Sequence, residues 1–206
     1  APASVTADQR ATLAAAGVVV SLGHSDCGVD TARRAMAAGA RCATHLFNAM
    51  SQMGNREPGM VGAVLGSDGF AGLIADGIHV DALTLRVALA AKRHGIFLVS
   101  DCMALAGTEG TEFHLGGRRI LRAGGRLTLE DGTLAGADLT LPRAVQVLVQ
   151  DVGIAPERAL AMASSIPAAV IGRGDLGHLR PGARADMVHL GPYLALRWVW
   201  LGGASI

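Results

Sequence analysis

Aromatic residues are scarce in this chain: four Phe, two Trp and one Tyr among 206 residues. That is too few to build the stacking platforms on which single-stranded nucleic acid lies. Charge is scarce too, at 17% of residues with a formal net charge of +1, so no basic field is available to hold a phosphate backbone. No nucleic-acid partner is therefore expected. The three cysteines, Cys27, Cys42 and Cys102, are odd in number and form no C-x-x-C pair. This argues against a disulfide framework or a structural zinc knot and favours a reducing cytoplasm. No uninterrupted apolar run approaches the about 18 residues of a membrane-spanning helix, and Ala1-Pro2-Ala3-Ser4 lacks the charged-then-apolar pattern of a secretory leader. The expectation is a cytoplasmic chain with no membrane partner. It starts with Ala rather than Met and enters almost at once what reads as a helix, which raises the expectation of a partial chain.

Hydrophobic residues are plentiful, at 50%, and supply ample core material. Four short apolar runs each end on residues able to hold a metal ion or move a proton. Val18–Leu22 precedes Gly23-His24-Ser25, Ala40–Ala43 precedes Thr44-His45, Ala71–Ala75 precedes Asp76-Gly77-Ile78-His79, and Ile96–Val99 precedes Ser100-Asp101. In a parallel α/β structure the strands point the same way, and chemistry gathers at their carboxyl ends. Histidines and an aspartate at such ends suggest a hydrolytic metal site.

Between these runs the patterning is helical. Thr6–Ala16 reads as a helix stopped by Gly17, Asp30–Ala38 as a helix with Asp30 as candidate cap and Gly39 as terminator, and Val80–His94 as a helix with Val80, Leu83, Val87 and Ala91 on its apolar face. Alternating strands and helices predict an α/β fold with a parallel sheet, open or closed into a barrel. Asn48–Gly62, rich in Gly, Asn and Pro, reads as a substrate-facing loop. After Asp101 the pattern changes. Glu112–Gly136 reads as a β-hairpin insertion turned at Gly116-Gly117, Gly124-Gly125 and Asp131-Gly132. Helices follow at Leu139–Val152, from Pro156 to about Ala163 and near Pro167–Ile171, and the tail returns to a small β element.

Each candidate has a plain alternative. A lone His24 or His45 is more often a hydrogen-bonded loop residue, but two imidazoles on neighbouring strand ends can share one ion. Asp101 reads either as a turn cap or as a carboxylate that takes the proton of a metal-bound water and returns it to a leaving amine. His79 reads as a helix-start residue or a substrate contact. Arg56 reads as a solvated arginine paired with a nearby acid or as a fork for phosphate oxygens. Gly132–Gly136 lacks the lysine and spacing of a phosphate loop and reads as a turn.

Gly23-His24-Ser25, Thr44-His45-Leu46-Phe47-Asn48-Ala49-Met50, Arg56-Glu57-Pro58-Gly59, Asp76-Gly77-Ile78-His79 and Ser100-Asp101, in this order, resemble the N-acetylglucosamine-6-phosphate deacetylase family of the amidohydrolase superfamily. The likeness continues through Gly132–Gly136 and Gly177–Asp186. It implies a metal site held by His24 and His45, with zinc first and iron or another divalent ion also open, and Asp101 as the catalytic acid and base. It implies Asn48, Ala49 and His79 as contacts to a phosphorylated N-acetylated amino sugar. It further implies Arg56 as the phosphate clamp, reaching a neighbouring subunit of a homodimer, and Leu134, Ala135 and Gly136 as lining near the N-acetyl group. The implied reaction is hydrolysis of the acetamide of N-acetylglucosamine 6-phosphate to glucosamine 6-phosphate and acetate; another N-acetylhexosamine phosphate, or a non-catalytic remnant, are the alternatives.

The resemblance also implies a fold: residues 1–172 as the second half of a (β/α)8 barrel, with the insertion at about 112–136, and residues 173–206 as strands of a small β domain. Members of the family carry an acidic metal ligand and a carbonyl-polarising histidine upstream of the Gly-His-Ser strand, and neither lies in this sequence. A full barrel takes about 250 residues.

Overall fold

The computed structural model describes residues 5–206. The leader reading of Ala1–Ser4 lies outside them. The elements follow in the order α1 (Ala7–Ala15), β1 (Val20–Leu22), α2 (Val29–Ala37), β2 (Ala40–Ala43), α3 (Gly59–Leu65), β3 (Phe70–Leu73), α4 (Ala82–Ala91) and β4 (Ile96–Leu98). The antiparallel strands β5 (Glu112–Leu115), β6 (Arg118–Ala123), β7 (Arg126–Leu129) and β8 (Leu134–Ala137) come next. Then come α5 (Leu141–Val147), a π-helical turn (Leu148–Val152), α6 (Pro156–Ala163), α7 (Ser165–Val170), β9 (Met187–Leu190), a 3-10 turn (Pro192–Leu194), β10 (Leu196–Leu201) and β11 (Ala204–Ser205).

These elements fall into two compact units interleaved along the chain. The first contains the described residues up to Leu73, Arg86–Phe97 and Ala161–Ala183; the second contains Ile74–Leu85, Leu98–Leu160 and Arg184–Ile206.

The first unit is built on a sheet of order β1-β2-β3-β4, in which β1 pairs parallel to β2 and β2 parallel to β3. Parallel neighbours require crossover connections, and α2 and α3 supply them. Strands β2 and β3 are almost wholly buried, as expected where both faces of a parallel sheet are covered. Thr6 caps α1 by a reciprocal capping box with Gln9. Helix α2 is capped differently from the sequence reading. Gly28 is its N-cap and offers no side chain, while Asp30 lies inside the first turn. The missing cap comes from far along the chain, because Glu57 Oε1 accepts the Val29 N–H at 2.8 Å.

Two further expectations are corrected here. The segment Asn48–Gly62 is not loop throughout, since α3 begins at Gly59 and buries Gly59, Met60, Val61, Ala63 and Val64. Burial outweighs the poor helix propensity of its two glycines. In α4 the buried residues are Leu85, Ala88 and Leu89, whereas Leu83 and Val87 are exposed, so the apolar face inferred from Leu83 and Val87 is the wrong one. The helix is apolar nearly all round, and periodicity alone does not choose between its faces.

In the second unit, β5-β6-β7-β8 form a continuous antiparallel meander, larger than a single hairpin. The glycine pairs at 116–117 and 124–125 turn it, all four at positive φ. Leu134–Gly136 belongs to β8 rather than to a turn. Leu105, Ile120 and Leu127 form its core, with Met103, Phe113, Leu129 and Ala135 packed against them. The tail forms a separate three-stranded antiparallel sheet of order β11-β10-β9. All three cysteines are free, in keeping with the sequence reading.

Candidate active site

Six non-glycine residues among those described hold a left-handed backbone: Tyr193 (φ 60°) and Leu194 (φ 62°) in the 3-10 turn after β9, and four that follow β1, β2 and β4, namely His24 (φ 46°), Phe47 (φ 77°), Ala49 (φ 49°) and Asp101 (φ 48°). Side chains make that region unfavourable, by about 1–3 kcal/mol each, and such residues cluster where function over-determines them. Three of the four are sequence-derived site candidates. Phe47 is not, and nothing in its residue type marks it.

In the first unit, His24 and His45 come together. Their Nε2 atoms lie 2.8 Å apart, with ring centroids 4.7 Å apart and the planes at 73°. His45 is buried and His24 exposed. Gly23 makes the approach possible, because a Cβ there would stand 2.2 Å from Thr44 Cγ2. The register is held by Thr44 N–H donating to Leu22 O and by Leu46 N–H donating to Gly72 O, both at 2.8 Å. The pair is chemically unsettled as it stands. One Nε2 must donate to the other, and His45 Nδ1 is buried without a hydrogen-bond partner. Two imidazole nitrogens this close are within reach of one cation at the usual about 2.0–2.1 Å, so the residues fit a divalent metal. They would supply two ligands. Among the described residues no group of three or more His, Cys, Asp or Glu side chains is placed to hold an ion.

The segment after His45 is tied into a compact knot. Asn48 Nδ2 donates to His45 O (3.4 Å) and Leu46 O (3.3 Å), which leaves its Oδ1 open. Ala49 O accepts Ser25 N–H at 2.9 Å, and Ser25 bridges in parallel to Met50. Gln52 Nε2 donates to Phe47 O and Met50 O. Arg56 is exposed. Its neighbour Glu57 spends Oε1 on the amides of Val29 and Gly59.

In the second unit, Asp101 is exposed, and its carbonyl accepts Ala137 N–H at 2.8 Å, which joins the loop after β4 to the end of β8. Gly136 lies directly beside it. A Cβ there would meet Met103 Cγ and Sδ at 2.6 Å and Asp101 O at 3.1 Å. Leu134 and Ala135 line a cavity of about 510 Å³ with Met103, Leu115, Ile120 and Leu129. His79 Nδ1 lies 2.6 Å from Asp76 Oδ2, and both side chains are almost fully buried. Burial alone would push the Asp76 carboxyl up, but hydrogen bonds from the His79 ring and from the Ile78 and His79 amides outweigh it, and the net shift is downward.

The sequence profile described as "Amidohydrolase family" matches residues 7–200. The chain belongs to the amidohydrolase family. The chain is 38% identical, over 98% of its own length and 52% of the relative's, to the N-acetylgalactosamine-6-phosphate deacetylase of Shewanella sp. (strain ANA-3). Its fold matches the crystal structure of N-acetylglucosamine-6-phosphate deacetylase from Pasteurella multocida with a TM-score of 0.94 at 35% identity, covering 98% of this chain and 54% of that one. It also matches a mutant N-acetyl-D-glucosamine-6-phosphate deacetylase from Mycobacterium smegmatis, in complex with N-acetyl-D-glucosamine-6-phosphate. There the TM-score is 0.88 at 31% identity, over 97% of this chain and 54% of that one. The chain thus spans about half the length of the relatives it matches. The structural ties of Phe47, Glu57 and Asp76 were not assigned from the sequence. The partners of Glu57 and Asp76 lie in backbone amides and a buried ring, which residue type alone does not reveal.

Proposed function

We propose that these residues form the second half of the active site of a metal-dependent deacetylase acting on N-acetylglucosamine 6-phosphate, set on the second half of a (β/α)8 barrel. The observation that carries the proposal is the His24–His45 pair, two imidazole nitrogens 2.8 Å apart with His45 Nδ1 left unpartnered. Such a pair is poorly satisfied by itself and well suited to a cation.

His24 and His45 would hold a divalent ion, zinc first and iron next. When bound, such an ion lowers the pKa of water toward neutrality and polarises an amide carbonyl. The rest of the chemistry falls to the chain. Asp101 takes a proton from the attacking water as the new C–O bond forms at the acetamide carbon, then gives it to the nitrogen as the C–N bond breaks. Acetate and the free amine result. Arg56, exposed at the surface, offers its fork to the phosphate, across a homodimer interface. Asn48 Oδ1, the Ala49 backbone and His79 contact the sugar. Leu134, Ala135 and Gly136 face the N-acetyl methyl with an apolar wall, which suits a group that leaves as acetate.

The Shewanella relative favours a second substrate, N-acetylgalactosamine 6-phosphate, which differs in the configuration of one hydroxyl. Both sugar phosphates belong in the test. Purified protein supplied with zinc is assayed for metal content, for sugar-phosphate binding and for acetate release, beside Asp101→Asn. The reading expects a bound ion, binding of at least one of the two sugar phosphates, and weak or no acetate release from these 206 residues. Any release is lost in Asp101→Asn. Vigorous turnover would refute the need for an acidic ligand and a carbonyl-polarising histidine upstream. Failure to bind either sugar phosphate would sink the substrate assignment.

A further inference from the structure

Asp76 has no part in the chemistry above, yet it is among the most fully engaged carboxylates of its unit. Its two oxygens have separate tasks. Oδ1 accepts the N–H of Ile78 and the N–H of His79, both at 2.8 Å. Oδ2 faces His79 Nδ1 at 2.6 Å. The turn that permits this runs through Gly77, at a φ of 72°. The side chains of His79 and Asp76 are 6% and 7% exposed, so water does not compete for the contact. His79 Nε2 makes no hydrogen bond among the described residues.

We propose that Asp76 is a positioning residue that holds His79 as its Nδ1–H tautomer, so that Nε2 presents a lone pair and accepts a hydrogen bond from a sugar hydroxyl. The inference rests on the reading of His79 as a substrate contact. An ionised carboxylate has only acceptors, so the nitrogen 2.6 Å from it must be the donor. In the neutral ring the other nitrogen is then an acceptor. That polarity selects its partner. A hydroxyl can donate to Nε2, whereas an ionised phosphate oxygen cannot. His79 therefore reads the sugar, and the phosphate is left to Arg56.

The division of the carboxylate makes the inference testable by one isosteric change. In Asp76→Asn the amide oxygen must occupy the Oδ1 position, because an NH2 there would face two N–H donors. The NH2 then takes the Oδ2 position and donates to His79 Nδ1. This drives the ring into the Nε2–H tautomer and turns the acceptor into a donor. The measurement is the two-bond ¹H–¹⁵N correlation of ¹⁵N-histidine-labelled protein at pH 8, alone and with N-acetylglucosamine 6-phosphate or N-acetylgalactosamine 6-phosphate.

The wild type is expected to show His79 as Nδ1–H with its Nε2 resonance moving as the sugar phosphate binds, and folded Asp76→Asn to show Nε2–H. Affinity for the sugar phosphate is expected to fall about tenfold or more in the variant, while affinity for inorganic phosphate is unchanged. An Nε2–H tautomer in the wild type overturns the proposal, whether or not the variant folds. So does a folded variant with an unswitched ring, or a His79 Nε2 that stays still while other resonances respond to the sugar phosphate. If no resonance responds to either sugar phosphate, the deacetylase reading fails and takes the hydroxyl contact with it. The tautomer result remains a separate readout of Asp76.

Discussion

Glu57 Oε1 accepts the amide N–H of Val29 at 2.8 Å, across 28 positions of sequence. The same oxygen accepts Gly59 N–H at 3.1 Å, so one carboxylate caps α2 and braces the entry to α3. It does so immediately after Arg56. Truncation in Glu57→Ala is expected to lower stability by about 1–2 kcal/mol, the usual scale for a lost helix cap and its orphaned amide. Glu57→Gln, which keeps the acceptor, is expected to lose less than half as much. Urea unfolding of the two variants checks both, and equal losses would mean that charge rather than the hydrogen bond carries the effect.

Gly136 and Gly132 form a natural pair of probes. Both lie at positive φ (66° and 83°), but a Cβ at Gly136 meets Met103 and Asp101 O, whereas one at Gly132 meets nothing within 4 Å. Gly132→Ala is expected to cost about 1–2 kcal/mol from backbone strain alone. Gly136→Ala is expected to cost more and to displace the Asp101 loop. Thermal unfolding separates them, and equal losses would show that the contact with Met103 relaxes without cost.

Leu127 is 1% exposed at the centre of the meander core. Leu127→Ala is expected to destabilise the protein by about 2–5 kcal/mol, the range for emptying a buried leucine site. A loss below about 1 kcal/mol in denaturant titration would mean that the meander repacks.

Asp76 sets a pH dependence with a definite sign. Its carboxyl is held below the ordinary value of 3.8 in the folded protein, chiefly against the opposing effect of burial by the His79 ring and two amides. It therefore stabilises the fold above that ordinary value, and the contribution disappears as pH falls through the lower folded value. The urea midpoint of the wild type is expected to drop between neutral pH and about pH 3 by more than that of Asp76→Asn. Parallel pH profiles would remove Asp76 as a source of acid sensitivity.

What could be read from the sequence depended on how local the cause was. The apolar runs before Gly23, Thr44 and Ser100 announce strands because their side chains need only a covered sheet, and the glycine pairs at 116–117 and 124–125 announce turns because their backbone needs positive φ. His24, His45 and Asp101 stood out for their place just past such runs. Helix α3 did not, because Pro58, Gly59 and Gly62 argue locally for loop and its stability comes from burying Met60, Val61 and Val64. The α2 cap was sought at Asp30, one of the nearest suitable residues, but lies at Glu57. The division of Asp76 between a turn and a ring is likewise invisible until Oδ1 and Oδ2 can be told apart.

The central claim is that His24 and His45 share a divalent ion, and zinc stoichiometry measures it most directly. Equilibrium dialysis of the wild-type chain is expected to give one zinc per chain, and the His24→Ala, His45→Ala double variant none at the same free zinc concentration. Equal zinc in both proteins, or none in the wild type, would contradict the account.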